Sequence, residues 1–264
     1  MWKLINPIDI QKFKQQVKEA EAFPHFCIDN FLKADFAEEI YNAFPSYSDA
    51  QKVGREFKAV NEKKKIQITD ANLFPPAIKK LNDLLADEEF VAMLREVFDM
   101  PSLESDPELV GGGIHQTDSG GRLDVHVDFN YVEDRKLHRR LNLLLYFNKD
   151  WHESYGGYLD LWDKDVKKRV GYFEPKFNRL CGFETSDISF HGVTPINCPE
   201  SVVRRSFATY YYTKDAPVGW NGEKHSTIFR PRPNELMRRY VLMPSEQFKK
   251  QYRQFKQKMK AFLH

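Results

Sequence analysis

Residues 202–213, Val202-Val203-Arg204-Arg205-Ser206-Phe207-Ala208-Thr209-Tyr210-Tyr211-Tyr212-Thr213, form a run of largely β-branched, apolar and aromatic character. Such side chains fit a pleated, half-buried surface, so the run predicts a strand. Working outward, runs of similar texture recur at 112–116, 123–128, 141–147, 158–162 and 180–183. Turn residues stand between them at Ser119-Gly120-Gly121, Asn148-Lys149-Asp150 and Gly156-Gly157. Short strands punctuated in this way are the signature of a β-sandwich or barrel, which places the core from about residue 108 onward.

Upstream, the apolar period changes to three and four, the spacing of one helix face. Phe36, Ile40 and Phe44 line a helix that stops at Pro45; Ile78, Leu81 and Leu85, then Val91, Leu94 and Phe98, predict two more. Between them residues 46–70 are polar, and Lys63, Lys64 and Lys65 read as a solvated loop or face. From Pro244 the chain predicts a final helix, with Phe248, Tyr252, Phe255, Met259 and Phe262 on one stripe among basic residues. Docking of that stripe on the domain is favoured over contact with an anionic membrane, because amphipathic surface helices are the norm. The fold class is therefore α+β with a mainly β core. One structural domain is expected, made of a helical portion at 1–105, the core at 106–215 and an extension at 216–264 with a basic amphipathic helix.

A chain of 264 residues suffices for one buried core. Forty Lys+Arg against 38 Asp+Glu leave a net charge of +2, which gives no overall reason to expect nucleic acid. Cys27, Cys181 and Cys198 are odd in number and lack CxxC spacing, so buried structural thiols in a reduced, cytoplasmic compartment are expected. No apolar run reaches signal-peptide or membrane-span length, so a soluble protein is expected. The sequence leaves the oligomeric state open.

Chemistry enters at Val125-His126-Val127-Asp128. On a strand, residues two apart share a face, so an imidazole and a carboxylate converge. Two histidines and one carboxylate on one side of a metal leave its other positions open, the arrangement of non-haem Fe(II) oxygenases. His191, in Ser189-Phe190-His191-Gly192-Val193-Thr194-Pro195, just after a predicted strand, supplies the second imidazole. Arg204 and Arg205 stand side by side on the last strand. Alternation sends Arg205, Phe207 and Thr209 to one face and Arg204, Ser206 and Ala208 to the other, so one arginine points inward and needs an anionic partner. Alternation alone leaves open which.

The ordered blocks His126-Val-Asp128, Leu143-Leu-Leu-Tyr146-Phe-Asn148-Lys-Asp-Trp151, Gly156-Gly157-Tyr-Leu-Asp-Leu, Phe173-Glu-Pro175-Lys-Phe-Asn-Arg179-Leu, His191 and Arg205-Ser-Phe-Ala-Thr-Tyr-Tyr resemble the prolyl 4-hydroxylase branch of the 2-oxoglutarate oxygenases, hypoxia-sensing enzymes included. The resemblance covers residues 112–213. It implies a double-stranded β-helix, or jelly roll, with N-terminal supporting helices. His126, Asp128 and His191 would ligate Fe(II), and Arg205 would hold the far carboxylate of 2-oxoglutarate. Tyr146 would hydrogen-bond that carboxylate; Thr209 lies on the Arg205 face, and Gln116 stands where some relatives have a tyrosine near the co-substrate. The activity implied is hydroxylation of an unactivated C–H bond, with dioxygen as co-substrate, ascorbate as reductant, and succinate and CO2 as co-products. A prolyl residue is the substrate that the resemblance favours; a free amino acid, a sugar or a lipid-linked saccharide is the alternative. A reading of another class is a non-catalytic metal- or sugar-binding β-sandwich, against which the arginine anchor argues. If the stretch Trp220 to Pro233 folds over the barrel mouth, His225, Arg230 and Arg232 would meet an anionic or sugar substrate; otherwise it is a surface strap pinned by its prolines.

Overall fold

The computed structural model describes residues 2–243; the helix expected from Pro244 lies outside them. The first elements are α1 (Ile10–Glu19), β1 (His25–Ile28), α2 (Ala34–Ala43), α3 (Tyr47–Val53), the strands β2 (Arg55–Lys58) and β3 (Glu62–Ile68), α4 (Pro76–Ala86) and α5 (Glu88–Phe98). Their bounds follow local chemistry. Asp9 caps α1 by accepting from the Gln11 and Lys12 amides, α4 starts on Pro76, and Asp87 caps α5 by accepting from Glu89. Ile78, Leu81, Leu84 and Leu85 of α4 and Phe90, Val91, Leu94 and Val97 of α5 are buried, the faces that three-four spacing dictates.

The β-rich part follows as β4 (Glu104–Ser105), β5 (Gly113–Val127), β6 (Tyr131–Val132), β7 (Leu137–Tyr146), β8 (Leu159–Trp162), β9 (Arg169–Phe173), β10 (Arg179–Glu184), β11 (Phe190–Val193), β12 (Arg204–Thr213) and β13 (Ile228–Phe229). The strand order is β1-β10-β7-β12-β5-β11-β8-β9, antiparallel throughout. The first half of β5 pairs with β12 and its second half with β11, so this one strand carries the chain from one sheet to the other. The turn expected at Ser119-Gly120-Gly121 is instead a bend within that strand, at Gly120 with φ +78°. Two facing antiparallel sheets joined in this way make the jelly roll.

The larger sheet has one face on the helices. Leu141, Leu143 and Leu145 of β7 and Phe207 and Tyr211 of β12 enter the main hydrophobic cluster with Ile78, Leu81, Phe90 and Leu94. Residues of opposite parity, Asn142 and Leu144 with Arg204, Ser206 and Tyr210, line a cavity of about 570 Å3 between the sheets.

Lys63 and Lys64 are exposed, the solvated face expected of their run, and residues 46–70 as a whole are structured. They form α3 and the β2–β3 hairpin, and β3 pairs along β5. Lys65 borders the cavity and its ammonium lies 2.9 Å from Glu62 Oε1. His191 follows β10, as expected, and itself lies in a further short strand, β11. Among the described residues, no helix is long and apolar enough to cross a membrane.

Candidate active site

The paired strands β5 and β11 set His126 directly opposite His191, and Asp128 follows one residue beyond the end of β5. Val125 and Val127, on the alternate face, are packed with Trp162 and Phe190, which fixes the strand's rotation. His126 Nε2 lies 3.5 Å from Asp128 Oδ1 and His191 Nε2 lies 3.4 Å from Asp128 Oδ2. One ligand atom from each residue falls within 4.8 Å of the other two, the spread that a single ion can bridge.

Both rings are oriented from behind. His126 Nδ1 donates to the Asp124 carbonyl and His191 Nδ1 to the Ser189 carbonyl, each at 2.9 Å. A carbonyl can only accept, so Nδ1 carries the proton and the Nε2 lone pair faces the cluster. Burial, with the neighbouring His126, pushes His191 down to about 3, so its imidazole is neutral at pH 7. Burial opposes the charge on Asp128, but the Arg139 guanidinium beside it holds the carboxyl well below the usual carboxylate range.

Arg139 and Asn142 clamp that carboxylate. Arg139 Nη2 lies 3.2 Å from Asp128 Oδ2, Asn142 Nδ2 donates to the same oxygen at 2.8 Å, and Arg139 Nε donates to Asn142 Oδ1 at 2.9 Å. The guanidinium, 4 % exposed, rests on the Tyr210 ring at 3.7 Å.

The strand carrying Arg204 and Arg205 resolves the choice that alternation left open, and corrects the expectation from resemblance. Arg204 is 3 % exposed and lines the cavity. Arg205 turns to the helix side, where its guanidinium lies 5.4 Å from the Tyr41 ring. Thr209 shares the Arg205 parity. Gln116, paired with Arg205 across β5 and β12, is turned the same way and donates to the Pro45 carbonyl at 2.7 Å. Arg205, Thr209 and Gln116 therefore do not join the cluster. The physical reason is the two-residue period: a one-residue slip in register exchanges the faces.

Arg204 Nε donates to the Gly157 carbonyl at 2.7 Å, and its guanidinium lies 4.9 Å from the centre of the Tyr146 ring. Its Nη2, the Tyr146 hydroxyl and the Ser206 hydroxyl are buried with no hydrogen-bond partner. Ser206 and Tyr146 are cross-strand partners, so the three unpaired polar groups share one neighbourhood. Burial pushes the Tyr146 phenol upward, and Arg204 pulls it back. Gly157 is required here: its φ is +71°, and a Cβ would stand 3.1 Å from Arg204 Cδ and from Trp151 Cζ2. This gives the Gly156-Gly157 pair a reason in the site.

The extension crosses the mouth. Ile228 and Phe229 pair with Val127 and His126, the Phe229 ring lies 5.3 Å from that of His126, and Thr227 and Phe229 line the cavity. The three residues singled out by sequence are engaged elsewhere. His225 Nε2 meets Asp187 at 2.9 Å, Arg230 donates to the Lys164 carbonyl at 2.7 Å, and Arg232 forks onto buried Asp160 at 2.7 and 2.9 Å. They pin the strap, and Phe229 faces the site.

Sequence reasoning missed Arg139, Asn142, Ser206 and Phe229. Parity from Tyr146 would have put Asn142 on the inner face. Arg139 has no such signal, because the β7–β12 register shifts between Tyr211 and Tyr212.

Residues 112–212 match the 2OG-Fe(II) oxygenase superfamily. Prolyl 3-hydroxylase OGFOD1 of Mus musculus is 29% identical over 201 residues, 74% of this chain and 33% of that protein, so the chain spans about a third of the length of this curated relative. A Pseudomonas putida prolyl-4-hydroxylase superimposes with a TM-score of 0.57 at 15% identity, over 79% of this chain and 100% of that one. A Trichoplax adhaerens prolyl hydroxylase, solved with a peptide fragment of the hypoxia inducible factor oxygen degradation domain, gives 0.54 at 16% identity, over 81% and 96%. At these identities the two structures establish the shared fold.

Proposed function

We propose, from the match of residues 112–212 to the 2OG-Fe(II) oxygenase superfamily, that the chain hydroxylates a C–H bond of a prolyl residue in a peptide, using Fe(II), 2-oxoglutarate and dioxygen. The observation that carries the reading is a pair of features in one cavity: an open two-histidine, one-carboxylate cluster and a buried arginine with an unpaired terminal nitrogen.

The donor set suits iron. Two imidazoles and one carboxylate would fill three positions on one side of an ion and leave the rest for small ligands. Bound iron supplies the activation of dioxygen that couples decarboxylation of 2-oxoglutarate, to succinate and CO2, with hydroxylation of the substrate.

The chain's own residues orient and exclude. The Asp124 and Ser189 carbonyls fix which imidazole nitrogen faces the metal. Arg139 and Asn142 hold Asp128 Oδ2 and so fix the carboxylate beside the two imidazoles, where it would ligate the ion. Arg204 and Ser206 line the cavity and, with the Tyr146 hydroxyl beside them, offer donors to a carboxylate, which is what a buried guanidinium without a protein anion requires. Phe229 on the strap and Phe57 on the β2–β3 hairpin give the cavity an apolar rim suited to a pyrrolidine ring, and they limit water at the reacting atoms. The prolyl hydroxylase relatives support the substrate class.

The test is succinate release and peptide mass for protein loaded anaerobically with Fe(II), then given 2-oxoglutarate, ascorbate and oxygen with a panel of proline-containing peptides, free amino acids and sugars. One proline peptide should gain one oxygen atom in step with succinate, and His126→Ala should abolish both. Stimulation by sugars or free amino acids alone would dismiss the peptide substrate. No succinate from folded, iron-loaded protein would dismiss the oxygenase.

A further inference from the structure

We propose that Cys27 and Cys181 form a redox-active dithiol, closed to a disulfide by hydrogen peroxide, and that closure weakens 2-oxoglutarate binding at the neighbouring Tyr146–Arg204 end of the cavity. The second part rests on the role given above to Arg204; the first does not.

Sequence alone marks these cysteines as unconnected, 154 residues apart. The sheet makes them direct cross-strand partners, Cys27 on β1 opposite Cys181 on β10, with their sulfurs 3.6 Å apart. The Glu184 amide donates to the Pro24 carbonyl, so residues 24 and 184 form a hydrogen-bonded pair. Counting along the antiparallel register, Cys27 and Cys181 occupy a non-hydrogen-bonded pair. At such a position the Cα atoms stand ~4.5 Å apart and the side chains approach closely. That spacing falls inside the ~4.4–6.8 Å window of disulfides. Closure therefore needs a rotation of two side chains and little movement of backbone.

The two thiols are unequal in the way a stepwise oxidation needs. Cys27 is half-buried and Cys181 fully buried. The Cys181 thiol donates to Cys27 Sγ, which lowers Cys27, with Arg179 nearby adding to the effect; burial pushes Cys181 up. The more accessible Cys27 thiolate attacks one peroxide oxygen, breaking the O–O bond and giving a sulfenic acid and hydroxide. The Cys181 sulfur then attacks Cys27 Sγ, its proton leaves, and water departs. In sum two thiols and one hydrogen peroxide give one disulfide and two waters; each sulfur loses one electron and the peroxide gains two.

Cys181 packs in the cluster that holds Tyr146, Phe183 and Leu161, on the cavity side of the sheet. Cys27 packs against that same cluster, and bonded sulfurs stand ~2.05 Å apart, so closure contracts the pair within it and shifts the atoms that pack beside the Tyr146 ring. That shift reaches Tyr146, which shares the cluster, and through it the Arg204 guanidinium over its ring. Cys198 takes no part, since its thiol donates to the Val202 carbonyl at 3.2 Å.

The experiment treats the full chain with hydrogen peroxide in the presence of a chelator, so that peroxide meets no iron, then alkylates and digests it. The expected result is a dithiothreitol-reversible loss of two hydrogens, a linked pair of peptides containing Cys27 and Cys181, and Cys198 still alkylated. In Cys181→Ala, Cys27 should be trapped by dimedone as a sulfenic acid; in Cys27→Ser, which changes a half-buried position, no link should form. Cys27 and Cys181 remaining fully alkylated, or Cys27 oxidised without the link, would overturn the dithiol. With peroxide removed and Fe(II) restored, the 2-oxoglutarate KM should rise several-fold in oxidised wild type and not in Cys27→Ser. An unchanged KM with the link complete would overturn the coupling. A 2-oxoglutarate KM unaffected by Arg204→Ala would instead locate the failure in the role of Arg204.

Discussion

At the scale of single residues, the arginine pair is the sharpest case. Arg204 and Arg205 are chemically identical neighbours, and the direction of each side chain decides which can serve a buried carboxylate. A hydrogen bond to a charged group contributes about 1.5–3 kcal/mol, so Arg204→Ala should raise the 2-oxoglutarate KM roughly ten- to hundred-and-fifty-fold. Arg205→Ala, which removes a contact with Tyr41 on the helix side, should change it little. A titration of succinate release in both variants checks this, and the reverse ranking would return the anchor to Arg205. A second residue-level expectation concerns Arg139, a buried guanidinium that neutralises Asp128 from 3.2 Å. Arg139→Met leaves the carboxylate uncompensated in metal-free protein, a loss of about 3–5 kcal/mol for a buried pair missing one partner. A bound divalent ion replaces the missing charge. Chemical denaturation should therefore show a large deficit without metal and a much smaller one with Co(II); equal deficits would mean that the pair matters only for packing.

At the scale of elements, how much could be read from sequence depended on whether an element's pattern is local. The helices α4 and α5 and the strands β7 and β12 announce themselves by period, and His126 with Asp128 by spacing. The β2–β3 hairpin does not, because β3 pairs its lysines along β5, so that a polar stretch is held by ladder bonds and by cavity-lining contacts such as that of Lys65. The bend in β5 looks like a turn in sequence, since Gly120 has the same left-handed freedom in either setting. The strap was legible as a segment and not as a contact, because its anchor, Arg232 on Asp160, joins residues 72 apart. That anchor yields a prediction. Arg232→Met should unpin the strap, raise the peptide KM through loss of Phe229 from the mouth, and leave the 2-oxoglutarate KM near wild type. It should also cost about 3–5 kcal/mol of stability, largely recovered in Arg232→Met/Asp160→Asn, where no buried charge is left alone. A double variant as unstable as the single one would show that the strap is held by something other than this pair.

At the scale of the whole molecule, the inter-sheet cavity keeps imidazoles out of water, and this sets how the fold responds to acid. His115 lines the cavity and is 6 % exposed, with Nε2 3.1 Å from the Gly111 carbonyl. Burial, and secondarily the Lys65 charge, lower it well below the ordinary imidazole value. The native state therefore keeps this ring neutral while the unfolded chain takes up a proton below about pH 6.5. Where the unfolded state binds more protons, stability increases with pH, so this contribution is complete above about pH 6.5 and is lost progressively as pH falls from there toward the lowered native value. His191, held down to about 3, adds to the same slope in metal-free protein. Asp128, held low by Arg139, keeps its charge through this window and adds its own loss only at more acid pH. The urea midpoint of chelated protein should accordingly fall between pH 7 and pH 5, and His115→Gln should fall less steeply across the same interval. A flat midpoint in the wild type would mean that water reaches these rings in solution; equal slopes in wild type and variant would assign the acid response to the other histidines lowered by burial, His191, His25 and His138.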